Sequence, residues 1–308
     1  MRNKQPMVSV IIPNYNHAKY LDLRLQTVFE QTYQNIEIII LDDKSTDNSL
    51  EIINKYREYS RISHIVINPE NSGSPFKQWD KGIALAKGEL IWIAESDDYN
   101  DLNFLEKIID EWGKYRNVVI AYSLYVLFND TEYFKRSKER ETQCFNGEQY
   151  IRYRMARGNC IMNASGVVFK KEIYDTIDKD FMSFRNAGDY LLWVKILAKG
   201  NVLKINKNLT YYRQSDHSVT TACASNGVVA FEIKRVLDYI ELMNKLNWWQ
   251  TRMAYAMSLA YIQKLSYKTE IIRKEVYDFW DEPNHTWRPF SIIVWLIGTI
   301  ERHFGILF

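Results

Sequence analysis

The sequence predicts an α/β fold in which a mostly parallel sheet carries helices on both faces. Short β-branched runs alternate with amphipathic helical stripes over roughly the first 115 residues. Such alternation is typical of strand–helix–strand units, whose strands lie parallel in one sheet. Because ligands of these sheets bind beyond the carboxyl ends of the strands, the residues that follow each strand are the candidates for function.

Four strands are predicted in this first part, at 8–12, 36–41, 62–67 and 90–94. Each is short, apolar and rich in Val or Ile, as buried strands are. Helices follow them, with apolar residues on one face: Leu21, Leu25, Val28 and Phe29; Leu50, Ile53 and Tyr56; Phe76, Trp79, Ile83 and Ala86; Leu102, Leu105, Ile109 and Trp112. Asn16 is expected to cap the first helix and Gly88 to end the third.

Beyond residue 115 the strands and helices no longer alternate regularly. The patterns predict a helix at 189–199 and, from about 226, a mainly helical region rich in aromatic residues. We therefore expect a first domain at 1–220 and a helical C-terminal region at 221–308. Before the helix at 189, the patterns predict strands at 118–128 and 163–169 with a polar loop at 131–143 between them; after it, short strands at 202–205 and 209–213.

Composition excludes several classes of protein. With 46% apolar residues, 12 Gly and 6 Pro, the chain is globular rather than disordered or collagen-like. A net charge of +2 provides no global field for nucleic acid, so no nucleic-acid partner is expected. Cys144, Cys160 and Cys223 fit neither a disulfide framework nor a zinc knuckle. The apolar run at 8–12 is too short for a signal peptide, so a cytoplasmic location is expected.

Carboxylates cluster after the predicted strands. Asp42 and Asp43 follow the second strand, Asp97 and Asp98 follow the fourth, and Asp189 opens a later helix. Adjacent carboxylates repel one another unless a cation neutralises them, and Mg²⁺ or Mn²⁺ prefers oxygen ligands together with substrate phosphates. The alternative is that these residues only cap helices or make turns, an explanation that three clusters on one edge weaken.

The motifs of several other chemistries are absent from the sequence. It contains no G-x-G-x-x-G, no G-x-x-x-x-G-K, no G-x-S-x-G and no H-E-x-x-H. None of its five histidines pairs with another at i, i+4. Dinucleotide, P-loop, serine-hydrolase and zinc-protease chemistries are therefore not indicated.

Four segments together resemble the nucleotide-sugar-dependent glycosyltransferases of family 2, which have the GT-A fold. The segments are VSVIIPNYN (8–16), IEIIILDDKSTDNS (36–49), GELIWIAESDDY (88–99) and NAGDYLLWVKI (186–196). Each motif alone is weak, but the four stand in the family's order and spacing. The resemblance covers about residues 7–220 and implies a GT-A fold and an inverting sugar transfer.

The resemblance implies a nucleotide site. Pro13 and Tyr15 match positions that line the nucleobase pocket, and Asp43 matches the carboxylate that accepts from the base N–H. Asp97 matches a position near the ribose or a metal-bound water, and Lys77 is placed to neutralise the diphosphate. The alternatives are a buried packing role for Tyr15 and a solvated Lys77.

The resemblance also implies a metal site and a catalytic base. Asp98 matches the direct ligand of Mn²⁺ or Mg²⁺, and His217, in YYRQSDHSVT, resembles a late residue that reaches the metal or diphosphate. A structural role in its loop is the alternative for His217. Asp189 matches the base, although Gly188 stands where many relatives carry an acidic residue.

These matches predict transfer of a sugar from a nucleotide-sugar donor, with UDP-sugars favoured, to a hydroxyl of a glycan or lipid-linked acceptor in bacterial surface polysaccharide synthesis. One alternative is a non-catalytic nucleotide-sugar-binding or scaffold protein, against which the intact Asp43, Asp98 and Asp189 argue. The other is a nucleotidyltransferase, which usually has a Gly-rich basic loop after its first strand, unlike PNYNHAKY.

The C-terminal tail carries an uncharged stretch from Pro289 to Ile300. Its 12 residues are fewer than the roughly 20 that a spanning helix needs. Trp287, Arg288 and Trp295 are residue types that settle at lipid headgroups, so 287–308 is predicted to be an interfacial helix on the inner face of the plasma membrane. A helix packed on the protein or in a homo-oligomer interface is the alternative.

Overall fold

The computed structural model describes residues 5–214, 219–243 and 245–280, which form two compact units. The first unit comprises the described parts of Met1–Gly147, Ile161–Met182 and Lys195–Ser215. The second comprises those of Glu148–Cys160, Ser183–Val194 and Asp216–Phe308. Two short segments before residue 200 therefore group with the C-terminal helices.

The first unit contains one sheet of ten strands within the described residues. They are β1 (Val8–Asn14), β2 (Ile36–Asp42), β3 (Ile62–Ile67), β4 (Leu90–Ile93), β5 (Tyr99–Asn100), β6 (Val118–Phe128), β7 (Tyr133–Arg136), β8 (Gln143–Phe145), β9 (Val167–Lys170) and β10 (Asn201–Arg213). The order along the sheet is β3-β2-β1-β4-β9-β6-β10-β5, with β7 beside β6 and β8 beside β10. β1, β2, β3 and β4 pair in parallel, as do β6 and β10, whereas β9 runs antiparallel between β4 and β6. The predicted α/β class with a mostly parallel sheet is confirmed.

Helices surround the sheet and make up most of the second unit. They are α1 (Ala18–Phe29), α2 (Ser49–Lys55), α3 (Pro75–Leu85), α4 (Phe104–Trp112), α5 (Gly147–Tyr153), α6 (Lys171–Tyr174), α7 (Gly188–Leu197), α8 (Val219–Ser225), α9 (Val228–Leu242), α10 (Trp248–Ile262) and α11 (Glu270–Trp280). The start of α7 and helices α8 to α11 belong to the second unit. None of the described helices is long and apolar enough to cross a membrane.

The core of the first unit lies between the sheet and its helices. Val8, Val10 and Ile12 of β1 pack in one buried cluster with Leu21 and Leu25 of α1. Burying each such side chain stabilises the fold by about 1.5–3 kcal/mol. Because helices cover the central strands, both faces of β1 and β2 are buried, which explains their continuous apolar sequence.

The predicted capping role of Asn16 is wrong. Asn16 lies before the helix with φ 54°, and its Oδ1 accepts from the backbone N–H of Thr46 at 2.7 Å. The first helical N–H, that of Ala18, instead donates to Oδ2 of Asp47 at 2.8 Å. The loop after β2 therefore caps the helix after β1, a tertiary contact that local sequence does not reveal.

Gly88 also differs from expectation, since α3 ends before it. A Cβ at this position would lie 2.7 Å from the backbone N of Ser9 and 2.8 Å from the carbonyl of Met7. Glycine is needed here for close backbone approach rather than as a helix stop. Three other elements differ. The predicted loop at 131–143 contains β7 and the start of β8, and the strand predicted at 163–169 begins only at Val167, after a 3-10 turn at Ala164–Gly166. The two short strands predicted at 202–205 and 209–213 form the single irregular strand β10.

Candidate active site

The parallel strands β1, β2 and β4 end at one edge of the sheet, and polar residues follow each of them. Asn14 pairs with Asp42 at the last position of the β1–β2 register. The backbone N–H of Ala94, just after β4, donates to the carbonyl of Ile11 at 2.8 Å. The two predicted carboxylate pairs, at 42–43 and 97–98, therefore lie at the ends of β2 and β4, the two strands that flank β1, at this edge.

Asp43 is 5% exposed and holds the segment between β3 and α3. Its Oδ1 accepts from Nδ2 of Asn68 at 2.6 Å, from the backbone N–H of Ser72 at 2.9 Å and from Nε2 of Gln78 at 2.9 Å. Its Oδ2 accepts only from Oγ of Ser72, at 2.8 Å, among the described donors. A carboxylate oxygen can accept more than one hydrogen bond, so Oδ2 retains capacity for a ligand N–H.

Asp42 makes a different set of contacts. Its Oδ1 accepts from the backbone N–H of Ser45 at 2.8 Å, and its Oδ2 accepts from Nδ2 of Asn14 at 2.8 Å and from Oγ of Ser45 at 2.7 Å. The side chain is fully buried. Asp42 therefore ties the turn after β2 to the end of β1.

Three of the four other nucleotide-site candidates, Pro13, Tyr15 and Lys77, differ in exposure. Pro13 is buried within β1 opposite Leu41. Tyr15 follows β1 and is 45% exposed, so it is not a buried packing residue. Lys77 lies on the first turn of α3, is exposed, and donates from Nζ to the carbonyl of Ser72 at 3.3 Å. Tyr15 thus offers an aromatic face to solvent.

Asp98 is 3% exposed, and both its oxygens accept hydrogen bonds from distant parts of the chain. Oδ1 accepts from the backbone N–H of Arg213 at 2.9 Å. Oδ2 accepts from Nδ2 of Asn163 at 2.9 Å and from Oγ of Ser165 at 2.7 Å. Burial, followed by the negative charge of Asp97, raises the pKa of Asp98.

Asp97 is less enclosed than Asp98. It is partly exposed, and its carboxylate accepts no hydrogen bond from another residue in the part of the chain that the structure describes. Burial raises its pKa as well. Nearby, Oε1 of Glu95 accepts from Nε1 of Trp79 at 2.7 Å, and burial raises the pKa of Glu95 to about 8. Three carboxyl groups, those of Glu95, Asp97 and Asp98, thus lie within the four residues 95–98.

Two arginines, the fully buried Arg24 and the partly exposed Arg213, support this loop, and neither was predicted from the sequence. Arg24 of α1 donates from Nε to the carbonyl of Glu95 at 2.7 Å and from Nη1 to Oδ1 of Asn100 at 2.8 Å. Arg213 donates from Nε to the carbonyl of Asp97 at 2.9 Å. The position of Arg24 within the apolar stripe of α1 was the available signal, since a charge there requires a buried partner.

His17 is a further neighbour that sequence reasoning passed over. Its Nδ1 lies 2.8 Å from Oγ of Ser96, within the same loop. Burial lowers the pKa of His17, and the negative charges of Asp98 and Asp47 oppose that shift. A mainly neutral imidazole beside these carboxyl groups therefore adds hydrogen-bonding capacity rather than fixed charge.

The residues that could hold a divalent cation are the carboxylates after β4. Among the described residues, no three His, Cys, Asp or Glu side chains form a group that could hold a metal by themselves. Mg²⁺ is often bound by one or two carboxylates, with substrate phosphates and water completing its shell. Asp97 and its neighbours fit that mode. His217, the other predicted ligand, lies outside the described residues.

Asp189 lies in the second unit, at the second residue of α7. Its Oδ1 accepts from the backbone N–H of Tyr190 at 2.7 Å, and its Oδ2 accepts from Nδ2 of Asn159 at 3.2 Å. Burial raises the pKa of Asp189 to about 7; the negative charge of Glu232 adds to the rise, while the two hydrogen bonds oppose it. A carboxylate with a pKa near neutrality is suited to accept a proton at physiological pH.

Comparison with known proteins identifies the family. Residues 9–177 match the model of Glycosyl transferase family 2. Glycosyltransferase GlyG of Streptococcus pneumoniae serotype 4 is 31% identical over 249 residues, which cover 78% of this chain and 79% of the relative. WfaP of Escherichia coli, named a UDP-Glc:α-D-GlcNAc-diphosphoundecaprenol β-1,3-glucosyltransferase, is 33% identical over 227 residues, covering 70% of this chain and 80% of the relative.

A solved structure agrees with the fold. TarS 1-349 of S. aureus, in complex with UDP-GlcNAc, superposes with a TM-score of 0.65 at 20% identity, covering 82% of this chain and 71% of that one. The family match spans more than half of the chain and includes the carboxylates after β2 and β4. The chain therefore belongs to glycosyl transferase family 2 and is a glycosyltransferase.

Proposed function

We propose that the protein transfers a sugar from a UDP-sugar to a hydroxyl of a lipid-linked or growing glycan in surface polysaccharide synthesis. The observation that carries this proposal is the set of carboxylates at the ends of β2 and β4, combined with Asp189, whose pKa of about 7 suits a base. WfaP, whose name states a UDP-Glc donor and a diphosphoundecaprenol-linked acceptor, supports the donor and acceptor classes.

We propose that the nucleoside binds to residues at the ends of β1 and β2. Tyr15, 45% exposed, provides a ring on which uracil can stack. Oδ2 of Asp43 has acceptor capacity left for the N3–H of uracil. Pro13 shapes the pocket wall, and Lys77 adds a positive charge for the diphosphate.

We propose that the divalent cation binds to the loop after β4. Oδ1 of Asp98, the ligand expected from sequence, accepts one hydrogen bond from the described residues and retains capacity for a cation, while the carboxylate of Asp97 accepts none from another described residue. We therefore propose that Asp98, as expected from sequence, holds Mn²⁺ or Mg²⁺ together with the neighbouring Asp97, while the hydrogen bonds of Asp98 also hold the loop in place. When bound, the cation neutralises the charge of the leaving nucleoside diphosphate. His217 remains a proposed further ligand.

We propose Asp189 as the residue that accepts the proton of the acceptor hydroxyl. Its carboxylate accepts the proton of the acceptor hydroxyl while that oxygen attacks the anomeric carbon and the nucleoside diphosphate leaves. One displacement of this kind inverts the anomeric configuration. With a pKa of about 7, Asp189 is substantially ionised at neutral pH and still basic enough to take the proton.

Thermal unfolding with UDP, GDP, dTDP and ADP, each with and without MnCl₂, tests the donor class. We expect UDP with Mn²⁺ to stabilise the protein most, by roughly 2.7 kcal/mol when the nucleotide is at about 100 times its Kd. The donor that responds is then assayed for transfer to a GlcNAc-diphospholipid. A stronger response to another nucleotide would contradict the UDP assignment, and no response to any would favour a scaffold protein.

A further inference from the structure

Glu232 of α9 binds three consecutive backbone N–H groups at the start of the segment that carries Asp189. Its Oε1 accepts from the N–H of Arg185 at 2.6 Å. Its Oε2 accepts from the N–H of Asn186 at 2.9 Å and from that of Ala187 at 2.8 Å. Glu232 is only 5% exposed, so these bonds form largely out of water.

The three N–H groups directly precede α7, whose second residue is Asp189. Backbone donors at and before a helix start have no partner within the helix and favour a negative charge. A buried N–H without a partner costs about 1–3 kcal/mol. A second contact anchors the same turn, because Nδ2 of Asn186 donates to Oγ1 of Thr220 in α8 at 3.1 Å.

We propose that Glu232 is a positioning residue for Asp189, fixing the turn before α7 and setting the electrostatic environment of the base. The proposal rests on the proposed role of Asp189 as the base. Glu232 lies beyond residues 9–177, the region that matches the family model, so the C-terminal helices supply this part of the catalytic machinery.

The charges around Asp189 support this role. Among the described residues, the Asp189 carboxylate accepts from the N–H of Tyr190 on α7 and from the amide of Asn159, and the negative charge of Glu232 on α9 acts on it. Glu232 provides the negative charge in this set, and that charge disfavours ionisation of Asp189. Around Glu232 itself, the side chain of Arg185 is exposed and Cys223 of α8 is buried.

Glu232→Gln and Glu232→Ala separate positioning from charge. The Gln amide has one acceptor oxygen instead of two and carries no charge, so it keeps only part of the contact with the three N–H groups, whereas Ala removes both the contact and the charge. Glu241→Gln, the same change at an exposed site on α9, is the matched control. Melting curves of each variant establish that it folds. If Glu232→Ala does not fold, Glu232→Gln alone tests the proposal.

Two measurements need no substrate. Carboxyl ¹³C NMR, with the Asp189 signal assigned by its loss in Asp189→Asn, should show the pKa of Asp189 falling by roughly 0.5–1 unit in Glu232→Gln. Amide hydrogen exchange over 183–190 should accelerate strongly in Glu232→Ala and less in Glu232→Gln. An unchanged pKa together with unchanged exchange in both variants would overturn the proposal.

Turnover with the UDP-sugar that the donor panel selects supplies the third readout. Glu232→Ala should lower kcat by about 100-fold without changing UDP affinity, because displacing a catalytic group by about 1 Å has that effect. Glu232→Gln should lower kcat less than Glu232→Ala does, and it should shift the acid limb of kcat to lower pH. If Asp189→Asn is fully active, the proposed base is wrong; if it is inactive while both Glu232 variants match the wild type, only the positioning role fails.

Discussion

The backbone N–H of Arg213 donates to Oδ1 of Asp98 at 2.9 Å, joining residues 115 positions apart in the chain. The Arg213 side chain continues the contact by donating to the carbonyl of Asp97 and pairing with Asp130. Its guanidinium also lies 4.0 Å from the Tyr20 ring and 4.4 Å from the Phe128 ring. The end of β10 thus holds the loop that carries the proposed cation ligands.

The two carboxylates of this loop should respond differently to mutation. Asp97→Ala and Asp98→Ala should both abolish the gain in UDP affinity that Mn²⁺ provides, as measured by calorimetry. Only Asp98→Ala should lower the free energy of unfolding, by about 2–4 kcal/mol, because it leaves buried donors on Asn163, Ser165 and Arg213 unpaired. A Mn²⁺ gain retained in Asp97→Ala would remove that residue from the cation site.

Asp43→Ala should weaken binding of the nucleoside whether or not metal is present. Loss of a hydrogen bond to a charged group costs about 1.5–3 kcal/mol, so uridine and UDP should each bind roughly 10- to 150-fold more weakly. Asp97→Ala is the matched comparison, because it should affect UDP only when Mn²⁺ is present. Equal affinity of wild type and Asp43→Ala for uridine would restrict Asp43 to holding the segment 68–78.

The sequence was sufficient for the elements that depend on local pattern. Asp43, Asp97 and Asp98 could be predicted as site residues because the apolar runs of the parallel strands are recognisable in the sequence and these strands end at one edge of the sheet. The contacts that arrange these carboxylates were not predictable, since Arg24, Arg213 and Asn163 reach them from elements 65 to 116 positions away. Glu232 was not predicted for the same reason. A single charged residue on an amphipathic helix does not indicate which backbone N–H groups it will bind.

Asp189→Asn should leave UDP affinity unchanged and reduce turnover by about 10²- to 10⁴-fold, because the amide cannot accept the proton. In the wild type, kcat should fall tenfold per pH unit below the pKa of Asp189, about 7. The acid limb is measured with the donor and acceptor that give turnover. Transfer within a few-fold of wild type in Asp189→Asn would show that another group is the base.

The same substitution should stabilise the fold at high pH. The folded-state pKa of Asp189, about 7, lies above its unfolded value of about 3.9, so ionisation disfavours the folded state. The contribution of Asp189 to the free energy of unfolding is therefore fully present below about pH 4. It declines as the pH rises and reaches its minimum above pH 7. Asp189→Asn should therefore be more stable than wild type by roughly 2–4 kcal/mol at pH 8 and nearly equal at pH 4. Urea unfolding at the two pH values measures this, and equal stability at pH 8 would contradict the raised pKa.

The tail at 287–308 lies outside the described residues, and its predicted membrane contact is open to a direct test. Its aromatic residues and its short uncharged stretch are expected to insert at the headgroup boundary of anionic vesicles. The full chain should therefore float with phosphatidylglycerol vesicles, whereas a chain truncated after Glu282 should not. Trp287→Ala with Trp295→Ala should weaken flotation, while Trp248→Ala with Trp249→Ala, which changes residues 58% and 61% exposed on α10, serves as the matched control. Equal flotation of full and truncated chains, or a truncated chain that no longer folds while the full chain stays unbound, would assign the tail to packing on protein instead.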